Sequence, residues 1–268
     1  MRMPIIFLLA CSLLLALEHS PHQGGVAVVE LSGFKQKPKL FYRAKEAKVI
    51  YQDGVYYGVI GIGLDAKAGS RHILAVNSEL KRDYYFDIYE KEYEKEYITL
   101  KSNKHVSLSA KNLKRHRGER AKTFKLLNSY THLHNIELEF IAPVDGRISS
   151  PFGKKRYFNS RPRAPHKGID IAAAEGTPVV ASEDGTISIA EEFFFNGNTL
   201  YIDHSEGVVS MYCHLHKLFV KSGDRVKKGD IIGSVGKTGR ATGAHLHFSI
   251  FLNQEAVDPA LFIQSYAK

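Results

Sequence analysis

The sequence predicts a mainly β protein: two β units joined by a basic helix. Runs rich in Val, Ile, Tyr and Phe, broken by Asp-Gly, Glu-Gly and Lys-Gly turns, fill residues 26–100 and again 141–262. Between them lies a stretch with helical spacing and dense Lys and Arg. At 268 residues the chain is long enough for two modest domains. Hydrophobic residues at 44% and charged residues at 24% exclude a mainly disordered chain, a collagen-like chain and a multi-span membrane protein.

The N-terminus predicts export. Arg2 precedes an apolar run of 13 residues, Ile5 to Leu17. A bilayer span needs roughly 20, whereas a secretory signal needs less, and Ala16 offers a small residue near the cut. Residues 1–17 are therefore expected to be a signal peptide, with Cys11 inside it and lipidation at Cys11 the lesser alternative. Removal leaves Cys213 alone, so no internal disulfide forms and stability must come from the core. No later apolar segment is long enough to anchor the chain, so no stable membrane insertion is expected. The net charge of +9 suits polyanionic surroundings such as nucleic acid, anionic lipid or cell-wall polymer. An export signal argues against nucleic acid.

Residues 18–103 read as an accessory β unit. In "KVIYQDGVYYGVIGIGL" two strands meet at Gln52-Asp53-Gly54, a strong hairpin signal. "SRHILAV" and "RDYYFDIYEKEYEKEYITL" continue the pattern, with Tyr85, Asp87 and Tyr89 alternating against Tyr84, Phe86 and Ile88. A small β-sandwich is expected. No titratable cluster appears, and the charged run from Glu90 to Glu96 reads as a solvated strand face.

Residues 104–140 read as a helical connector. Phe124, Leu127 and Tyr130 recur at three-residue spacing, and Gly118 is expected to interrupt the segment. Residues 141–268 return to β texture: "TPVVASEDGTISIAEE", "GNTLYIDHSEG", "VVSMYCHL", "DRVKKGDIIGSVG" and "AHLHFSIFL" predict an antiparallel β domain.

Chemistry concentrates in this last part. Of 13 histidines, six fall between His166 and His247. Alternate residues of a strand share a face. "PHKGIDI" thus puts His166, Gly168 and Asp170 together, the glycine leaving room for a metal ion. "AHLHFSI" puts His245, His247 and Ser249 on one face. "VVSMYCHLH" puts Ser210, Tyr212 and His214 opposite Met211 and Cys213, so Cys213 reads as a core residue turned away from the site. Two histidines, a carboxylate and a water satisfy four-coordinate catalytic Zn²⁺. His214 and His216 form a second His-x-His pair, and spacing alone leaves open which pair binds metal.

"PHKGIDI", "MYCHL" and "GRATGAHLHFSI", in this order, resemble the signature of the lysostaphin-type (LytM-like) zinc metallopeptidases of peptidoglycan. "GRISSPFGKKRYFNSRPRAPHKGIDIAA" resembles the entry to that domain and "VDPALF" its end, so the likeness covers Ala142 to Phe262. The resemblance implies one Zn²⁺ per chain, held by His166, Asp170 and His247, with His214 and His245 as catalytic histidines. Arg156 and Asn159 resemble recurring residues ahead of the first ligand, and a loop-structuring role is expected for them, with substrate contact the lesser alternative. His204 lies in a recurrent segment without being a ligand. His216 falls outside the matched positions and reads as a strand-end or loop residue.

The implied activity is a D,D-endopeptidase cutting D-Ala–diaminopimelate cross-links, with peptidoglycan stem peptides as partners. The implied compartment is the periplasm of a Gram-negative bacterium. D,D-carboxypeptidase trimming and a non-catalytic LytM-like activator are the alternatives within the family, and all five motif positions being filled weighs against the second. A carrier-type β domain, suggested by "GDRVKKGDIIGSVG", and a polyanion binder using the basic helix are the alternatives outside it.

Overall fold

The computed structural model describes residues 17–98, 109–134, 136–158 and 161–263. The expected signal peptide up to Ala16 and Asn159 lie outside the described residues.

Strands β1 (Val26–Glu30), β2 (Lys39–Tyr42), β3 (Lys45–Gln52), β4 (Val55–Gly61), β5 (Gly69–Val76) and β6 (Lys81–Ile88) form one antiparallel sheet in the order β1-β4-β3-β2-β5-β6. The β3–β4 hairpin turns where Asp-Gly stands, with Asp53 at φ 50° and Gly54 at φ 83°. Strand β3 is shared: its first half pairs with β2 and its second with β4. The sheet therefore bends at β3 and folds over its own core of Leu40, Val49, Ile60, Ile73 and Phe86. A sandwich of two separate sheets was expected; a single sheet with one bent strand buries the same alternating face. Phe86 and Ile88 are buried on that face and Tyr85 is exposed on the other.

The Glu90–Glu96 run is not a free solvated face. It leads into β7 (Lys95–Ile98), which leaves the first sheet. Helix α1 (Ala110–Leu127) follows, capped by Ser109, whose hydroxyl accepts from the Asn112 amide. Gly118 sits within it without breaking it, and none of its residues is buried. Phe124, at the three-residue spacing that marks the helix, is 69% exposed.

The second unit contains β8 (Arg147–Ser150), β9 (Lys155–Phe158), β10 (Arg161–Pro162), β11 (Ile169–Ala172), β12 (Pro178–Val180), β13 (Gly185–Phe193) and β14 (Gly197–Asp203). After these come β15 (Val208–Leu215), β16 (Lys217–Leu218), β17 (Arg225–Val226), β18 (Ile231–Ser234), β19 (Leu246–Leu252) and β20 (Glu255–Val257). The main antiparallel sheet runs β17-β13-β14-β15-β19-β11-β8, with β20 beside β19, and a small sheet runs β12-β18-β16. Their core holds Ile169, Ile171, Leu200, Ile202, Tyr212, Leu246, Phe248 and Ile250. Ile136, Leu138 and Phe140, read from sequence as connector, pack into this core.

The two units meet along a tight seam. Strand β7 pairs in parallel with β9. The Asn253 side chain, in the β19–β20 turn, accepts from the Gly61 amide at 2.6 Å and donates to the Gly61 carbonyl at 3.0 Å. Buried Lys48 donates to Glu206 across the seam at 2.8 Å.

Candidate metal centre

Strands β11 and β19 bring the first elements of the site together. Their register sets Asp170 opposite His247, so both side chains leave the same face of the sheet. Gly168 allows this approach. A Cβ there would lie 2.3 Å from the Phe248 carbonyl oxygen and 2.4 Å from Ser249 Oγ. The glycine thus makes room for a neighbouring strand rather than for an ion.

Three donor atoms converge. His166 Nε2 lies 2.9 Å from Asp170 Oδ1 and 3.0 Å from His247 Nδ1, and His247 Nδ1 lies 2.8 Å from the same carboxylate oxygen. Each ring is oriented from behind. His166 Nδ1 lies 2.9 Å from the Pro151 carbonyl, to which it must donate, and His247 Nε2 lies 3.0 Å from Ser249 Oγ. Arg156 donates to Asp170 Oδ2 at 3.0 Å, leaving Oδ1 turned into the cluster, and to Glu96 of β7 at 3.1 Å.

These contacts bear on what the cluster can hold. Burial works to raise the Asp170 carboxyl, but the His166 and His247 imidazoles at hydrogen-bond distance outweigh it and hold it well below the usual carboxylate range. Neutral His166 has its one proton committed to Pro151, so nothing remains on Nε2 for the carboxylate. The gap is filled either by an extra proton or by a cation in its place. Two imidazole nitrogens and one carboxylate oxygen, all within 4.8 Å of one another, form a donor set suited to Zn²⁺.

Two further histidines stand at the rim. His214, the last residue but one of β15, stands at φ 62°, a left-handed conformation. Its Nδ1 lies 2.9 Å from the Thr238 carbonyl. Burial, then the neighbouring His247, lowers its pKa to about 4, so it is neutral at pH 7. His245 directs Nδ1 to the Gly243 carbonyl at 2.9 Å and lies 3.9 Å from Asp170 Oδ1 through Nε2. The two rings are 4.8 Å apart between centroids.

The left-handed turn at His214 corrects the expected facing of Cys213. Strand β15 sets Cys213 opposite His247 and Met211 opposite Ser249, so Cys213 lies on the site's face, buried beneath it. His214 then breaks the alternation and reaches the same side. Burial raises the Cys213 thiol far above its ordinary range, which keeps it uncharged and inert. His216 is apart from the cluster, paired with Glu175 at 3.2 Å on the surface. His204 is fully buried between the Asp184 carbonyl and Ser210.

The profile of Peptidase family M23 matches residues 164–259, and that of the Peptidase family M23 N-terminal domain matches residues 19–91. A crystal structure from Pseudomonas aeruginosa, described as a peptidase M23, superimposes with a TM-score of 0.79 at 34% identity, over 92% of this chain and 96% of that one. The chain belongs to peptidase family M23. Among curated M23 relatives, Peptidoglycan DD-endopeptidase ShyC of Vibrio cholerae is 42% identical over 115 residues, 42% of this chain and 26% of that protein. DD-carboxypeptidase/endopeptidase Mpg of Neisseria meningitidis is 43% identical over 113 residues, again 42% of this chain and 26% of the relative. The M23 chain thus spans about a quarter of the length of these two relatives. Among the described residues, no helix is long and apolar enough to cross a membrane.

The sequence reading missed the partners that aim these side chains. The Pro151 and Thr238 carbonyls carry no side-chain signal, and Glu96 reaches the site only through a parallel pairing between distant segments.

Proposed function

We propose that this chain is a zinc metallopeptidase of the cell wall, hydrolysing D-Ala–diaminopimelate cross-links of peptidoglycan in the Gram-negative periplasm as a D,D-endopeptidase. What supports the reading is the convergence of His166, Asp170 and His247 on one point, with His214 and His245 beside it. These three would hold one Zn²⁺. When bound, the ion supplies an acidified water and a Lewis acid for the scissile carbonyl.

The chain's own groups do the rest. His166 donates to Pro151 from Nδ1, so Nε2 is the atom that would hold the ion. Arg156 occupies Oδ2 of Asp170, which leaves Oδ1 as the oxygen that would hold the ion. His214 gives its Nδ1 proton to the Thr238 carbonyl, leaving Nε2 bare to take a proton from the nucleophile. His245 donates from Nδ1 to the Gly243 carbonyl and turns Nε2 towards the cluster, where it orients the reacting groups while the proton taken by His214 passes on to the leaving amine.

The test is digestion of cross-linked muropeptides by the mature protein beside His247→Ala, with products identified by mass. Cross-linked dimers should disappear with the unaltered chain alone. Loss of terminal D-alanine from pentapeptides, without dimer cleavage, would replace the endopeptidase reading by a carboxypeptidase one. No cleavage of either substrate would sink both.

A further inference from the structure

We infer that the cleft between the N-terminal β unit and the segment ahead of His166 is a carboxylate-binding subsite for an acidic peptide, with Lys91, Lys155 and Arg163 as its cations. The inference rests on the peptidase reading of the neighbouring centre and names a feature its substrate must carry. The cleft measures about 340 Å³. The N-terminal unit contributes Gln23, Leu64, Lys91 and Tyr93 to its lining, and residues 153–165 contribute the remainder, including Lys155, Arg156 and Arg163.

Its charge is one-sided. Four cations line it and no carboxylate does. Arg156 is already neutralised by Glu96 and Asp170. Lys155 and Arg163 are paired with no carboxylate among the described residues, and both are exposed. Lys91 is held in place, with Nζ 3.2 Å from His22 Nε2 and 5.4 Å from the Tyr93 ring centroid. Asp258 lies within electrostatic reach behind His22 and Lys91 but does not line the cleft. Leu64, Tyr93, Tyr157, Pro162 and Pro165 give apolar walls, which suit the aliphatic stems of a peptide between its charged ends.

The cleft is also a rigid structure beside the metal centre. Gly153, at φ 84°, lies so close to Tyr93 that a Cβ would sit 2.0 Å from Tyr93 Cε1. The Tyr93 hydroxyl donates to the Gln23 carbonyl at 2.6 Å, and its ring meets Phe152 edge-on at 6.3 Å. Arg156 belongs to both places: it lines the cleft and touches Asp170. A carboxylate bound in the cleft is therefore one side chain away from the candidate ligands. The positive field reaches past the centre as well. Arg240 lies over Phe195 at 4.7 Å, and its pKa is lowered first by burial and then by the charges of Arg156 and Arg163. The N-terminal unit thus acts as half of a substrate cleft.

The test is calorimetric binding of a free stem tetrapeptide, with its carboxylates intact, against the same peptide with them amidated, at low salt. The acid form should bind the mature full-length chain at least about tenfold more tightly, the worth of one charge-assisted pairing. Lys155→Gln/Arg163→Gln and Lys91→Gln should lose most of that preference. Lys111→Gln/Lys114→Gln on α1 should keep it. No preference in the unaltered chain, or a preference that survives in the cleft variants, overturns the subsite. Muropeptide digestion by the same proteins separates the two claims. A chain that prefers the acid peptide but cuts nothing sinks the peptidase reading alone. A chain that cuts with an unchanged KM in Lys155→Gln/Arg163→Gln sinks the cleft alone.

Discussion

At the scale of single residues, the centre is organised by what lies behind each donor. Pro151 fixes the His166 tautomer, Ser249 steadies His247, and Arg156 occupies one oxygen of Asp170. Replacing His247 by Ala should lower zinc from about one ion per dialysed chain to about a tenth or less, read by metal analysis, because two donors remain of three. Replacing His214 by Ala removes a proton acceptor and no donor of the cluster. It should leave zinc content unchanged and lower kcat by about 10²- to 10⁴-fold. A parallel loss of zinc in that variant would make His214 a ligand and overturn its assigned role.

At the scale of elements, the decisive features are irregularities. The left-handed His214 ends the alternation of β15 and puts two consecutive side chains, Cys213 and His214, on the site's side. Strict period-two reading sends Cys213 away, since a local break in register leaves no trace in hydrophobic alternation. The His245–His247 spacing was legible because β19 and the bridge at His245 keep regular alternation, whereas His166 stands three residues ahead of β11 and meets Asp170 from the segment before that strand. The pairing of β7 was not legible, because its partner β9 lies some 60 residues on and runs parallel to it. The contact of Gly153 with Tyr93 predicts that Gly153→Ala destabilises the chain by about 2 kcal/mol or more in urea unfolding, from φ strain plus overlap. Combining it with Tyr93→Ala should recover part of that loss, giving a coupling energy of at least about 0.5 kcal/mol.

At the scale of the whole molecule, buried polar groups join the units and set the response to acid. Lys48 is 3% exposed and meets Glu206 across the seam. Glu206→Ala leaves an ammonium buried without its partner, and should cost about 3–5 kcal/mol in chemical unfolding. His204 is a second liability. Burial depresses its pKa to about 4, against 6.5 unfolded. Its neutral form is favoured by folding, so its contribution is complete above pH 6.5. That contribution is lost as pH falls from 6.5 towards 4, by up to about 3 kcal/mol. Unfolding free energies at pH 7 and pH 5 check the sign, and His204→Gln should flatten the slope.

The sequence by itself determined the β class and the Asp53-Gly54 turn, and its motifs singled out five candidate side chains while spacing left His214 and His216 open. All of these depend on local spacing or on which residue types a strand face presents. Only the tertiary structure brought His214 beside the cluster and left His216 on the surface with Glu175, set Cys213 beneath the centre, and put Glu96 behind Arg156. Those outcomes depend on a bulge, a parallel pairing and a seam between units. Each is a contact between distant segments, whose cost and gain are set by packing rather than by any residue's neighbours in the chain.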